Sequence, residues 1–156
     1  MKFTPSEIGI DKILLDPNNY RFYDLPKSQW TRRQPQRFHE PAVQEATLKL
    51  LEHTKRYNLP ELRDSILANG FVPMERIVVV PYGDSDALVI VVEGNRRVAT
   101  LKALLRDHEI GALTLSEDQQ NSFSNVLVAL LDPEEEGVIE AERVIKGLRH
   151  IAGPQE

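Results

Sequence analysis

Cysteine is absent from all 156 residues. Disulfides, thiolate metal sites and cysteine nucleophiles are therefore excluded. Long apolar runs are missing too. The longest, Ile77–Val80 and Ala87–Val92, fall far short of the roughly 20 residues a membrane-spanning helix needs. The opening Met1-Lys2-Phe3-Thr4-Pro5 has no apolar stretch of signal-peptide type, so a soluble cytoplasmic domain is expected. His39, His53, His108 and His150 stand apart with no metal-ligand spacing, and no Gly-x-Ser-x-Gly motif marks a serine nucleophile. Positive charge is in the minority: 19 Lys and Arg against 24 Asp and Glu leave a net charge of −5. That balance argues against a domain that coats DNA by charge alone.

What is present suffices for a core, since 41% of the chain is hydrophobic. Glu7–Leu15, with Ile8, Ile10, Ile13, Leu14 and Leu15, reads as a short strand running into the turn Asp16-Pro17-Asn18-Asn19. Residues 22–40 read as a long basic surface loop, with Lys27, Arg32, Arg33 and Arg37 around Trp30. Val43, Ala46, Leu50 and Tyr57 predict a helix over Pro41–Tyr57, with proline in the first turn. A second helix is expected over Pro60–Asn69, stopped by Gly70. Arg76–Pro81 and Ala87–Val92 read as antiparallel strands joined by a short turn. A helix carrying Val98, Leu101, Leu104 and Leu105 follows, then a polar helical stretch at Ser116–Ser124 and a strand at Asn125–Leu131. Asp132-Pro133 and Glu134–Glu136 have the chemistry of a helix start, with Val138, Ala141, Ile145 and Leu148 as its buried face. The expected class is α+β, a small mixed sheet with helices against it, in one domain over 1–156. The end, Gly153-Pro154-Gln155-Glu156, has no obvious final cap and reads as part of a longer chain.

The sharpest chemical signal is Glu93-Gly94-Asn95-Arg96-Arg97. A glycine between strand and helix lets backbone amides approach a ligand, and a helix start carries unpaired N–H groups with partial positive charge. Arginines there oppose the helix dipole, so local stability does not account for them, whereas binding phosphate oxygens does. The competing reading is two solvated arginines that pair with the acidic C-terminal segment. Ser65, within Leu62–Pro73, reads locally as a solvated or back-bonded hydroxyl. The loop Lys27–Arg37 reads either as a charged mobile loop or as a nucleic-acid contact through Trp30, Arg32, Arg33 and Arg37. The Glu134–Glu136 carboxylates fan around a helix rather than converge on a metal.

Three stretches in order carry a family resemblance. They are Asp16-Pro17-Asn18-Asn19-Tyr20-Arg21, then Leu62-x-x-Ser65-Ile66-x-x-x-Gly70, and then Glu93-Gly94-Asn95-Arg96-Arg97-Val98-Ala99. Together, over about residues 7–106, they resemble the N-terminal domain of the ParB/sulfiredoxin superfamily, in the Glu-Gly-Asn-Arg-Arg variant of ParB-like proteins of plasmids, phages and defence loci. The resemblance implies a ParB/sulfiredoxin-like fold and a pocket for CTP or ATP with Mg2+. It assigns Gly94, Asn95, Arg96, Arg97 and Ser65 to the phosphates, Gly70 and Phe71 to the border of the base, and Arg21 to the cleft. It implies a nucleotide-dependent switch, a homodimer, and DNA contact mostly through regions past Glu156. The alternatives are an NTPase, kinase or nuclease with Glu93 as its carboxylate, or an interaction module that has lost the ligand. Asn95 stands where sulfiredoxins carry their cysteine and ParB proteins a glutamate, so sulfinic-acid reductase chemistry is excluded. Nothing matches the Glu-Asn pair of the third ParB motif in Leu148–Gly153.

Overall fold

Clusters of valine and isoleucine flanked by turn residues build the sheet. The computed structural model describes residues 2–70, 77–83 and 87–132. Five strands run in the order β1-β5-β3-β4-β2: β1 (Lys2–Gly9), β2 (Ile13–Leu14), β3 (Val78–Pro81), β4 (Val89–Glu93) and β5 (Asn125–Asp132). The sheet is mixed. β1 is antiparallel to β5 and β3 antiparallel to β4, while β5 pairs with β3, and β4 with β2, in parallel. Four helices accompany it: α1 (Pro41–His53), α2 (Leu59–Asn69), α3 (Asn95–Glu109) and α4 (Glu117–Ser124). The α+β class with a small mixed sheet therefore holds. No helix among the described residues is long and apolar enough to cross a membrane.

Alternation along the strands sorts their side chains. Val79, Val91, Val126 and Val128 face the main core, where they meet Leu51, Ile66, Val98, Leu101, Leu104 and Phe123 from the four helices. Val78, Val92 and Leu131 form a second cluster, on the opposite face. α3 is the central helix: Val98, Ala99, Leu101, Ala103 and Leu104 are all buried. Its C-terminal half is clamped to α1 and α2 by charge. Arg106 holds Glu52 through two bonds of 2.7 and 2.8 Å, and Asp107 accepts from both Arg106 and Arg63.

Three local expectations change. The segment Glu7–Leu15 is not one strand: β1 starts at Lys2, and a 3-10 turn at Ile10–Lys12 separates it from β2. The helix expected to reach Tyr57 ends at His53, and a further 3-10 turn covers Lys55–Tyr57. Its end is set by Thr54, whose extended backbone stops the ladder. The basic loop is tied down rather than loose. Asn18 exchanges two 2.8 Å bonds with the Arg33 main chain, and Tyr82 Oη donates to Pro35 O. By contrast β3, β4, α2, α4 and β5 fall within a few residues of expectation. α4 opens on a complete capping box: Ser116 Oγ accepts from Gln119 N, and Gln119 Oε1 accepts from Ser116 N. Phe71, Pro73, the turn at 84–86 and the helix expected past Pro133 lie outside the described residues.

Candidate functional site

β2 and β4 run parallel, with Ile13 opposite Val89 and Leu14 opposite Ile90, so their carboxyl ends open side by side. Ligand sites in open sheets favour such ends. From β2 the chain enters the turn Asp16–Asn19, and from β4 it enters Glu93-Gly94 and α3. Gly94 makes the second corner with φ 103° and ψ 23°, a left-handed conformation that side-chain-bearing residues rarely adopt. The corner aims the start of α3 at the segment that follows β2.

A cleft of about 430 Å³ lies between them. Its walls are Asn19, Tyr20 and Arg21 from one side, Glu93, Gly94, Asn95, Arg96 and Arg97 from the other, and Leu62 of α2. Arg21, Glu93, Arg96 and Arg97 are all half-buried. Asn19 Oδ1 accepts from Arg21 N at 3.0 Å and fixes the turn that carries Arg21. The Arg21 guanidinium lies over the Tyr20 ring, 5.6 Å from its centre, and the Arg21 carbonyl is held by Tyr57 Oη at 2.9 Å.

Asn95 does a different job from the one its position in the motif suggests. Its side chain is buried and turned to the protein, where Oδ1 accepts from Asp16 N at 2.9 Å and Nδ2 donates to Asp16 O at 3.0 Å. The carboxamide thus locks the two walls together and is spent on the protein, while Asn95 remains part of the cleft lining. Asp16 is itself buried and holds the turn through Oδ1, which accepts from Asn18 N at 2.9 Å.

The other expected residues divide. Glu93, Gly94, Arg96, Arg97 and Arg21 come together. Ser65 does not line the cleft: it is exposed on α2, and Leu62, one turn earlier, faces the opening. Gly70 caps α2 with φ 76° and lies exposed, with its N–H bonded to Ile66 O at 2.8 Å. Trp30 is half-buried as an anchor, with its ring against Phe22 and its Nε1 donating to Pro17 O at 2.8 Å. Arg32 sits over the exposed Tyr23 ring at 5.4 Å, and Arg37 pairs with Glu40 at 3.1 Å. Arg33 is exposed. Asn19, Tyr20 and Leu62 were not singled out as site residues in the sequence. The signal for them was their place inside the same stretches as Arg21 and Ser65.

Chemically, the cleft is lined by three guanidinium groups, the first turn of a helix and one carboxylate, a donor set suited to an anion. Among the described residues no three His, Asp or Glu side chains gather as a metal site. A magnesium ion carried by phosphates needs only one or two protein carboxylates, and Glu93 supplies one. No protein-family model matches this chain, and no curated protein matches it either.

Proposed function

We propose that the chain is a nucleotide-binding switch domain of ParB-like type, which takes CTP or ATP with Mg2+ in the cleft between the Asn19–Arg21 turn and the start of α3. One observation carries this reading: the cleft gathers Arg21, Arg96 and Arg97 around a glycine-led helix start. Planar guanidinium groups and the N–H groups of a helix start are the donors that suit phosphate oxygens. The phosphates would lie against Gly94–Arg97, with Arg21 opposite and Glu93 near the metal. Ligand binding would draw together two walls already linked through Asn95 and Asp16, which is the basis of the switch, and a homodimer is the form in which such a closure would be read. DNA contact in this reading comes mainly from regions past Glu156.

Titration calorimetry with CTP, ATP and GTP in the presence of Mg2+ tests it. Binding of one nucleotide that is lost in Arg97→Ala, with unchanged thermal stability, is the expected result. No heat for any of them at millimolar concentration, with an identical trace for Arg97→Ala, would sink it.

Hydrolysis is the second reading, and the half-buried Glu93 at the rim of the cleft favours it. In that case Glu93→Gln abolishes phosphate release while leaving nucleotide affinity within a few-fold. Release or plasmid nicking that survives Glu93→Gln removes Glu93 from the role.

A further inference from the structure

A second concave surface lies away from the cleft, between the segment 27–33 and α1. Its narrow end, about 170 Å³, is lined by Lys27, Trp30, Arg33 and Thr47, and its wide end, about 540 Å³, by Lys49, His53 and Lys55. Gln29, Ala46 and Leu50 line both, so the two ends form one groove. Among the described residues Lys27, Arg33 and Lys55 have no carboxylate partner. The nearby acids are already engaged: Glu40 by Arg37, Glu45 by Lys49, Glu52 by Arg106 and Asp24 by Arg56. The Glu45–Lys49 pair is largely exposed and worth little, so a phosphate can displace it. Lys49 and His53 are four residues apart on α1, which places them roughly 6 Å apart along its axis. Tyr23 does not line the groove but stands half exposed next to Trp30, which does, its ring 5.7 Å from the indole and the Arg32 guanidinium over it.

We propose that this groove binds single-stranded nucleic acid, with Lys27, Arg33, Lys49 and Lys55 tracking the phosphates and Tyr23 with Arg32 stacking a base. Three cations without a carboxylate partner, a fourth held only by an exposed pair, and an exposed aromatic ring nearby are the combination that holds single strands irrespective of sequence. An acidic peptide would use the cations but has no call on the ring. The site is separate from the nucleotide cleft and does not rest on it.

The test is fluorescence anisotropy of the full chain with a labelled oligothymidylate, an equal-length duplex and polyglutamate. The oligothymidylate binds, and binding weakens steeply with salt. Replacing Lys27, Arg33 and Lys55 together by alanine costs more than about tenfold in affinity and lowers the salt slope by about 2, since each single-strand phosphate contact contributes about 0.7. Tyr23→Ala costs about tenfold with the slope unchanged, and Tyr23→Phe restores affinity. Urea unfolding of each variant separates lost binding from lost folding. The proposal is overturned by absence of oligothymidylate binding at about 50 mM salt, where such contacts are strongest. Affinity unchanged in the triple variant, equal binding of the duplex, or preference for polyglutamate overturns it as well.

Discussion

Asn95 and Asp16, 79 positions apart, are joined by a closed pair of hydrogen bonds between one carboxamide and the main chain of one residue. Both partners are buried, so water cannot replace either bond. Asn95→Ala leaves the Asp16 N–H and C=O unmet and is expected to cost about 2–4 kcal/mol, read from the urea midpoint. Asn95→Asp keeps an acceptor but loses the donor and sets a carboxylate against a carbonyl, so it is no milder. A variant as stable as the parent would remove this pair from the account of the fold.

Gly94→Ala tests the corner. At φ 103° and ψ 23° a β-carbon is strained, so a loss of about 1–2 kcal/mol is expected in thermal or urea unfolding. Because α3 starts at the next residue, the strain tilts Arg96 and Arg97, and nucleotide affinity falls by more than stability does.

Asp107 makes the three-helix clamp sensitive to acid. Burial pushes its carboxyl up, but the Arg63 and Arg106 guanidinium groups outweigh that and hold it below the ordinary 3.8. The folded state thus binds this proton more weakly than the unfolded chain, so the stabilisation is complete above about pH 4 and is lost as pH falls through the folded value. Asp107→Asn should lower stability by about 1–2 kcal/mol at pH 7, with the gap to the parent closing below pH 3.8. A constant gap from pH 7 to pH 2.5 in urea titrations would refute the assignment.

Lys102 carries the opposite dependence. Burial lowers its ammonium below the ordinary 10.5, against a smaller raising effect of Asp11, while Nζ donates to Ile10 O at 3.1 Å. The fold disfavours the charged form, so its contribution is most favourable above pH 10.5 and is lost as pH falls through the folded value. Lys102→Met, similar in length and apolar, should raise stability near neutral pH by about 1 kcal/mol, and the gain should shrink towards pH 10.5. A Met variant less stable than the parent at pH 7 means that the Ile10 bond outweighs the burial cost.

Local chemistry made several elements legible. Ser116 with Gln119, the Gly94 corner and the valine runs of β3 and β4 carry their signals within a few residues. β1 was not legible past Glu7, because Lys2-Phe3-Thr4-Pro5-Ser6 is polar, contains proline and has no clean alternation. Its strand state comes from pairing with β5, and an edge position tolerates the missing proline N–H. The site divides the same way. Glu93, Arg96 and Arg97 were readable because the glycine corner and helix start place them, whereas Arg21 followed only from the family resemblance. The Asn95–Asp16 bonds were not legible because the partners lie 79 positions apart, and Ser65 lies outside the cleft because α2 meets it at Leu62, one turn earlier.

The Asn95–Asp16 clasp also orders events in time. On the ribosome the Asp16 turn emerges long before α3 exists, so one wall of the cleft is made early and waits for the other. β1 waits longer still, since its ladder among the described residues is with Asn125–Asp132. High contact order of this kind slows folding. It also means that cutting the chain anywhere between residues 16 and 95 separates the two walls of the cleft, so a split version of this domain would bind the proposed ligand only when both pieces meet.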